Sequence, residues 1–467
     1  MTARQWSILS LLMAAEVVSG FESSMILAGL GAWLRIYGDP IGVGWIVSAY
    51  MLVSAAAAAL CGRLGDIYGR KRMLVIVIVI TGCGSLISAV APSLTWVVIG
   101  RAIQGLAGAI IPLCYGLARE HMPANKLSIA IGAITATAAA ASAAGLLLGG
   151  VLTDHFGPQS IFWASGVTAL LIAPILMSGL PGSLRPVQSG TIDWLGGILF
   201  APAIGALLLV FSNGRNWGWT SAATLWLALA GIALLAIWYW HERRLQQPLI
   251  DVRLLGNRNC LLGNLIMACA AVGVMQMTQL TSLLLQQPTW TGAGLGTTAT
   301  FVGILKFPAL FLGIISSLLA GWAVGRYGGK APVLLGCLLM TVASTIGVFE
   351  AHSILLLFVT ICLGSMGVTA VYAALPSIII AASPHDRTSE ATGLMAVVRS
   401  MSQAIGAQVL AICLASSTIL SADGKAFPDS SAYMLAFLFM AIASFLGFAL
   451  GIGLPKNAAR QRSRINS

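Results

Sequence analysis

The sequence predicts an all-α polytopic membrane protein of fourteen transmembrane helices, arranged as two six-helix bundles plus an inserted helix pair. Three observations carry that prediction. Hydrophobic residues make up 58% of the 467 and charged residues only 8%, whereas soluble domains use about 45–50% apolar residues. Nearly uncharged runs long enough to cross a bilayer recur from end to end. The basic residues gather in alternate links between those runs, as the positive-inside rule requires.

A hydropathy pass sets the spans at about 6–34, 44–62, 73–91, 95–118, 126–152, 160–180, 193–212, 221–240, 260–286, 297–321, 331–349, 353–381, 390–420 and 431–454. The first run follows Arg4 as a secretory signal would. It also contains Glu16 and Glu22, continues to about residue 34 and has no A-x-A-like site near its end, so it reads as a retained span. An even number of spans puts both termini on one side, and the tail cations Lys456, Arg460, Arg462 and Arg464 make that side cytoplasmic. Of the 25 Lys and Arg residues, Arg35, Arg215 and Lys425 fall in outer links and Arg101, Lys306 and Arg399 within spans. The rest lie on the side of the tail. The formal net charge of +11 therefore reports orientation and not a nucleic-acid partner. The eight cysteines are scattered through apolar runs without metal-ligand or redox spacing, which reads as packing.

Between spans 2 and 3 lies the most highly charged short link, Gly62-Arg63-Leu64-Gly65-Asp66-Ile67-Tyr68-Gly69-Arg70-Lys71-Arg72. Its glycines allow sharp turning and close helix approach. Shifting this stretch by 259 residues brings Gly62, Tyr68, Gly69 and Lys71 onto Gly321, Tyr327, Gly328 and Lys330, an internal repeat in which Asp66 falls on Gly325. Two polar links, 181–192 and 241–259, bracket one pair of spans. The chain thus divides into an N-terminal six-helix bundle over 1–182, an inserted pair over 183–250, and a C-terminal six-helix bundle with a basic tail over 251–467.

The 62–72 link resembles the G-x-L-a-D-r-x-G-r-k-r loop of the major facilitator superfamily, with Gly62, Leu64, Asp66, Gly69, Arg70 and Lys71 on its fixed positions. Asp193-Trp194-Leu195-Gly196, the stretch from Gly214 to Trp219, Pro248 to Leu255, Leu285-Gln286 and Pro308 are similar to features of its fourteen-span drug:proton antiporters. The resemblance implies a major facilitator fold and transport by two repeated bundles rocking about a midplane site. It also implies that Gly62, Asp66, Gly69, Arg70 and Lys71 form a gating loop, with Asp66 bracing the N-terminus of span 13, entered through Arg387-Thr388-Ser389-Glu390.

Within the spans, Glu22 stands where this family's L-D-x-T-x-x-N-x-A-L-P motif keeps its acid, although Leu27 and Gly31 replace the Asn and Pro. Glu16 lies six residues earlier, about 120° around the helix. A carboxylate in a span is costly and marks function, and an acid removed from water is more readily protonated, as a proton carrier requires. The alternative is a structural acid bonded to a neighbouring span. Arg101-Ala102-Ile103-Gln104-Gly105-Leu106-Ala107-Gly108 matches the superfamily's span-4 motif, and Arg101 needs a partner, for which the span-1 acids are the nearest candidates. Such a pair either reports proton occupancy or statically fixes the bundle. In span 5, Gly132, Gly145, Gly149 and Gly150 keep the small residues of the family's antiport motif, while Leu146 replaces its proline. Lys306 and Arg399 either line the cavity or, for Lys306, snorkel outward. Gln104, Asn264, Gln276, Gln279 and Gln286 are further polar candidates for substrate contact.

There is no G-x4-G-K-[ST] phosphate loop, no histidine pair at metal spacing and no Ser/His/Asp arrangement. The expected function is secondary active transport by alternating access: proton-coupled export of small amphipathic compounds across a bacterial inner membrane. Its partners would be lipid, substrate and protons, with a proton gradient in place of any cofactor. A uniporter or a proton symporter for a narrow metabolite is the alternative that the missing span-5 proline favours. A sensor or an enzyme on the same fold is more remote, because the links hold no soluble domain and no catalytic cluster. Asp66→Asn should lower transport in whole cells while leaving protein abundance near normal; unchanged transport would remove the gating role.

Overall fold

The computed structural model describes residues 2–182, 194–245, 252–349, 353–382, 388–423 and 425–455. Its N-terminal part comprises α1 (Ala3–Tyr37), α2 (Pro40–Tyr68), α3 (Arg70–Ala89), α4 (Leu94–Gln104), α5 (Ile110–His121), α6 (Ala124–Phe156) and α7 (Ser160–Gly179). The pair α8 (Trp194–Trp217) and α9 (Ala222–Arg244) follows. The C-terminal part holds α10 (Arg258–Val272), α11 (Met277–Gln286), α12 (Ala299–Tyr327), α13 (Lys330–Phe349), α14 (Ile354–Ala382), α15 (Thr388–Ala415) and α16 (Ser430–Ile452). A tight 3₁₀ turn, Gly105–Ala109, joins α4 to α5, and another, Val274–Gln276, lies between α10 and α11. Each of those pairs is one membrane pass, which leaves fourteen passes. Thirteen stretches among the described residues are long and apolar enough to cross a membrane. The remaining pass is α8, whose apolar run ends at Phe211, before Ser212-Asn213-Gly214-Arg215-Asn216.

Three local expectations need correction. The charged stretch 62–72 is not a loop: α2 continues to Tyr68, α3 starts at Arg70, and the whole turn is Gly69 at φ +94°. Only glycine takes that conformation without strain, so one residue suffices to reverse the chain. Span 9 is not continuous, because Gly273 leaves helical geometry at φ −88°, ψ −107° and the pass restarts through a 3₁₀ turn. Span 13 ends at Ala415 and not at residue 420. Thr418–Leu420 instead pairs antiparallel with Ala426–Pro428 as a two-stranded ribbon, β1 and β2.

Close packing explains the glycines of α6. A Cβ on Gly149 would lie 2.8 Å from the Met25 Cα of α1, and one on Gly145 would strike the Ser24 hydroxyl. Gly150 faces the other half of the molecule, where a Cβ would meet Ala299 and Thr300 of α12 within 2.9 Å. Gly132 lies on the same helix, but its surroundings fall outside the described residues. The small residues of span 5 therefore seat α6 on both halves at once, and the helix runs unbroken past Leu146, which is buried.

The two halves meet at the end away from the termini. The Arg35 Nη1 donates to the Gln286 carbonyl at 2.8 Å, and the Gln286 amide donates to the Ala28 carbonyl. The Lys425 Nζ donates to the Arg35 carbonyl at 2.8 Å, and Gln408 donates to Ser48 at 3.0 Å. The Asp154 carboxylate accepts the main-chain N–H groups of Ala299 (3.0 Å) and Thr300 (2.6 Å), closing the first turn of α12 from across the interface. The inserted α8 packs on both α2 and α15, at the flank of this seam. Gly149→Ala should cost about 1–3 kcal/mol through forced separation of α1 and α6, seen as a lower thermal midpoint of the purified protein in detergent; an unchanged midpoint would show that the interface yields.

Candidate functional site

Glu22 and Arg101, both buried, are brought together, but not as an ion pair. The Glu22 carboxylate accepts a hydrogen bond from the Ser85 hydroxyl of α3 at 2.5 Å. The guanidinium of Arg101 turns to main-chain oxygens: Nη1 donates to the carbonyl of Glu22 and Nε to that of Ile46 in α2, each at 2.9 Å. Nη1 also donates to the Gln104 Oε1 at 2.6 Å, and the Gln104 amide donates to Ser88 at 3.3 Å. The face of the Tyr50 ring lies 4.3 Å from the guanidinium carbon. One cation thus ties α1, α2, α3 and α4 together at mid-span. The partner expected for Arg101 was an acid of span 1; the structure supplies Glu22's backbone, leaving the carboxyl to a neutral hydroxyl.

Local sequence explains how α3 and α4 can approach so closely. Thr81, Gly82, Ser85, Ser88 and Ala89 recur at helical spacing and are all buried, so α3 presents one small, hydroxyl-bearing face. In the span-4 motif, a Cβ on Gly105 would lie 2.7 Å from the Tyr50 carbonyl, and one on Gly108 2.6 Å from that of Ser54. Those glycines let span 4 press against α2 and bring Arg101 within reach of Ile46. Ser85 and Tyr50 were not singled out from sequence. The small polar stripe of α3 was a legible signal for Ser85, whereas nothing marked Tyr50 apart from other span tyrosines.

Glu16 stands apart from this cluster. It is fully buried, neither carboxylate oxygen has a hydrogen-bond partner, and the Cys114 thiol of α5 faces it. In the C-terminal half, the Lys306 Nζ donates to the Thr278 carbonyl at 2.6 Å and to the Ser282 hydroxyl at 2.5 Å, both on α11. It is buried inside the protein and does not snorkel. Gln276 donates to Ala271 at 2.9 Å and to the Gln403 carbonyl of α15 at 3.1 Å, staking the broken pass in place. Gln279 is buried with its side-chain oxygen unpartnered. Arg399 is half-buried, and its guanidinium carbon lies 5.3 Å from the centre of the Tyr372 ring.

Of the gating residues, Gly62 and Asp66 belong to α2, but their surroundings and the Asp66 side chain lie outside the described residues. Arg70 pairs with Glu120 of α5 at 2.7 Å and donates to the Gly116 carbonyl at 3.2 Å; Lys71 donates to the Leu180 carbonyl at 2.5 Å. These bonds bind the start of α3 to its own half of the molecule.

The sequence model described as Major Facilitator Superfamily matches residues 12–194 and 190–407. The chain is 30% identical over 397 residues to the multidrug resistance protein Stp of Mycobacterium tuberculosis (strain CDC 1551 / Oshkosh), covering 83% of this chain and 72% of that protein. It is 24% identical over 437 residues to the tetracenomycin C resistance and export protein of Streptomyces glaucescens, covering 91% and 78% respectively. The crystal structure of a peptide transporter, POT, in complex with sulfate superposes with a TM-score of 0.69 at 14% identity, over 96% of this chain and 93% of that one.

Arg101→Met keeps side-chain bulk but strips the Gln104 Oε1 of its donor and the Glu22 and Ile46 carbonyls, which keep their helical N–H partners, of a second one. Each buried group left unpaired costs about 1–3 kcal/mol, so the variant should melt well below wild type in detergent; an equal melting point would mean that water or a neighbour replaces the guanidinium.

Proposed function

The chain belongs to the major facilitator superfamily, and we propose that it exports small amphipathic compounds in exchange for protons, with Glu22 as the proton-carrying group. One observation carries this reading. An acid buried at mid-span has its carboxyl held by neutral serine hydroxyls, Ser85 at 2.5 Å with Ser165 beside it, while the adjacent Arg101 turns its N–H groups to main-chain oxygens. That arrangement suits a carboxyl that gains and loses a proton, because neither form is locked by a permanent ion pair. Arg101 positions it by holding its own backbone carbonyl. When the site opens outward, Glu22 takes a proton; when it opens inward, the proton leaves and substrate binds.

Charge distribution supports cytoplasmic termini in a bacterial inner membrane. With that orientation, the end bearing Arg35, Asp154, Gln286 and Lys425 is external. One proton crossing about 100 mV supplies ~2.3 kcal/mol, which sustains a roughly fifty-fold substrate gradient. The names of the Mycobacterium and Streptomyces relatives, multidrug resistance and tetracenomycin C export, support export as the direction.

The test uses everted membrane vesicles with an acid interior and an internal pH dye, to which cationic, neutral and anionic amphiphiles are added. Substrate-dependent alkalinisation should occur with wild type and vanish in Glu22→Gln. A response retained in Glu22→Gln would exonerate that residue, and no response to any compound would favour a uniporter or a symporter.

A further inference from the structure

Inside the membrane the N-terminal half carries two acids together with Arg101, whereas the C-terminal half carries two cations. In the N-terminal half both span acids are sealed in: Glu16 is 0% and Glu22 2% exposed. In the C-terminal half the spans carry Lys306 and Arg399, and neither pairs with a carboxylate among the described residues. The only acid within those helices is Glu390, in the first turn of α15, about 13 Å of helix rise from Arg399. Of the buried and half-buried charges described here, Arg399 is the one that keeps partial exposure at mid-span.

Beside the guanidinium stands Tyr372 of α14, whose hydroxyl donates to the Met275 sulfur at 3.4 Å and accepts from Arg399, with its ring centre 5.3 Å from the guanidinium carbon. The Nε of Arg399 is buried without a hydrogen-bond partner. A guanidinium with an unfilled donor, deep in a membrane protein, calls for an anion. The Tyr372 ring and the Met275 side chain hydrogen-bonded to it suit a flat, apolar body attached to that anion.

We propose, on the reading of the chain as an exporter, that Arg399 binds the acidic group of aromatic anions while Tyr372 contacts their rings. The substrates are then carboxylates and phenolates on fused rings, not lipophilic cations. Energetically this fits proton exchange: an anion leaving and a proton entering move charge in the same direction, so the membrane potential drives both.

Binding to the purified full-length protein, measured by isothermal titration calorimetry without a pH gradient, tests this independently of transport. Three matched ligands serve as probes: anthraquinone-2-carboxylate, its carboxamide and the 2-(trimethylammoniomethyl) analogue. Wild type should bind the carboxylate at least ten-fold more tightly than the cation. Arg399→Gln should bring the carboxylate to within two-fold of the carboxamide, whose own affinity stays unchanged, and Arg399→Lys should restore part of the preference. Wild type binding the cation as tightly as the carboxylate, or not binding the carboxylate, would overturn the proposal; so would Arg399→Gln weakening all three equally. Carboxylate binding without proton exchange in vesicles would sink the export reading and leave this site standing.

Discussion

Taking a guanidinium out of water costs several kcal/mol unless its N–H groups find oxygens, and much of the N-terminal half is arranged around meeting that demand for Arg101. Its donors reach α1 at the Glu22 carbonyl, α2 at Ile46 and its own helix at Gln104, which in turn holds Ser88 of α3. The glycines of span 4 and the small face of α3 exist in service of the same contact, because bulkier residues would push those carbonyls out of reach. By spending its charge on main-chain oxygens, Arg101 leaves the Glu22 carboxyl with a neutral partner. A structural demand thereby creates a group whose protonation can change.

The seam between the halves follows a related logic. At the end away from the termini, groups that water would normally satisfy are satisfied across the interface. Asp154 closes the first turn of α12, Arg35 takes the last carbonyl of α11, and Lys425 takes the carbonyl of Arg35. Each of these is a charge on a backbone group or a helix end, stronger than a neutral hydrogen bond yet reversible when water enters. Close contacts of α6 at Gly150 with α12 bring the backbones near enough for them to form. Opening this end means exchanging such bonds for hydration and also parting the apolar cluster that joins Leu30, Trp33 and Leu34 of α1 to Leu283 and Leu284 of α11 and Leu410 and Leu414 of α15.

On the proposed reading, the placement of ionisable groups in the two halves suits exchange. The acids are enclosed near Ser85 and Cys114, where a proton would reside, while the partly exposed cation Arg399 stands beside the Tyr372 ring, where a substrate would lie. Proton and substrate need not compete for one atom. On that reading both sites border the same two bodies, whose rocking would couple them.

Sequence alone determined the number and order of the passes, the side on which basic residues gather, and the presence of five ionisable groups inside the spans. These follow from composition and run length, which lipid reads directly. It also marked Glu22 and Arg101, because an ionisable residue in a span is conspicuous whatever its partner. What only the tertiary structure decided is who meets whom: that Arg101 binds the backbone of Glu22 and not its carboxylate, that Ser85 and Tyr50 belong to the site, and that Lys306 turns to α11. Those outcomes depend on the rotation and depth of each helix, set by packing at Gly105, Gly108 and Gly149, and hydropathy is blind to both. Likewise the turn at Gly69 and the break at Gly273 are backbone events within apolar or charged runs whose composition continues unchanged across them.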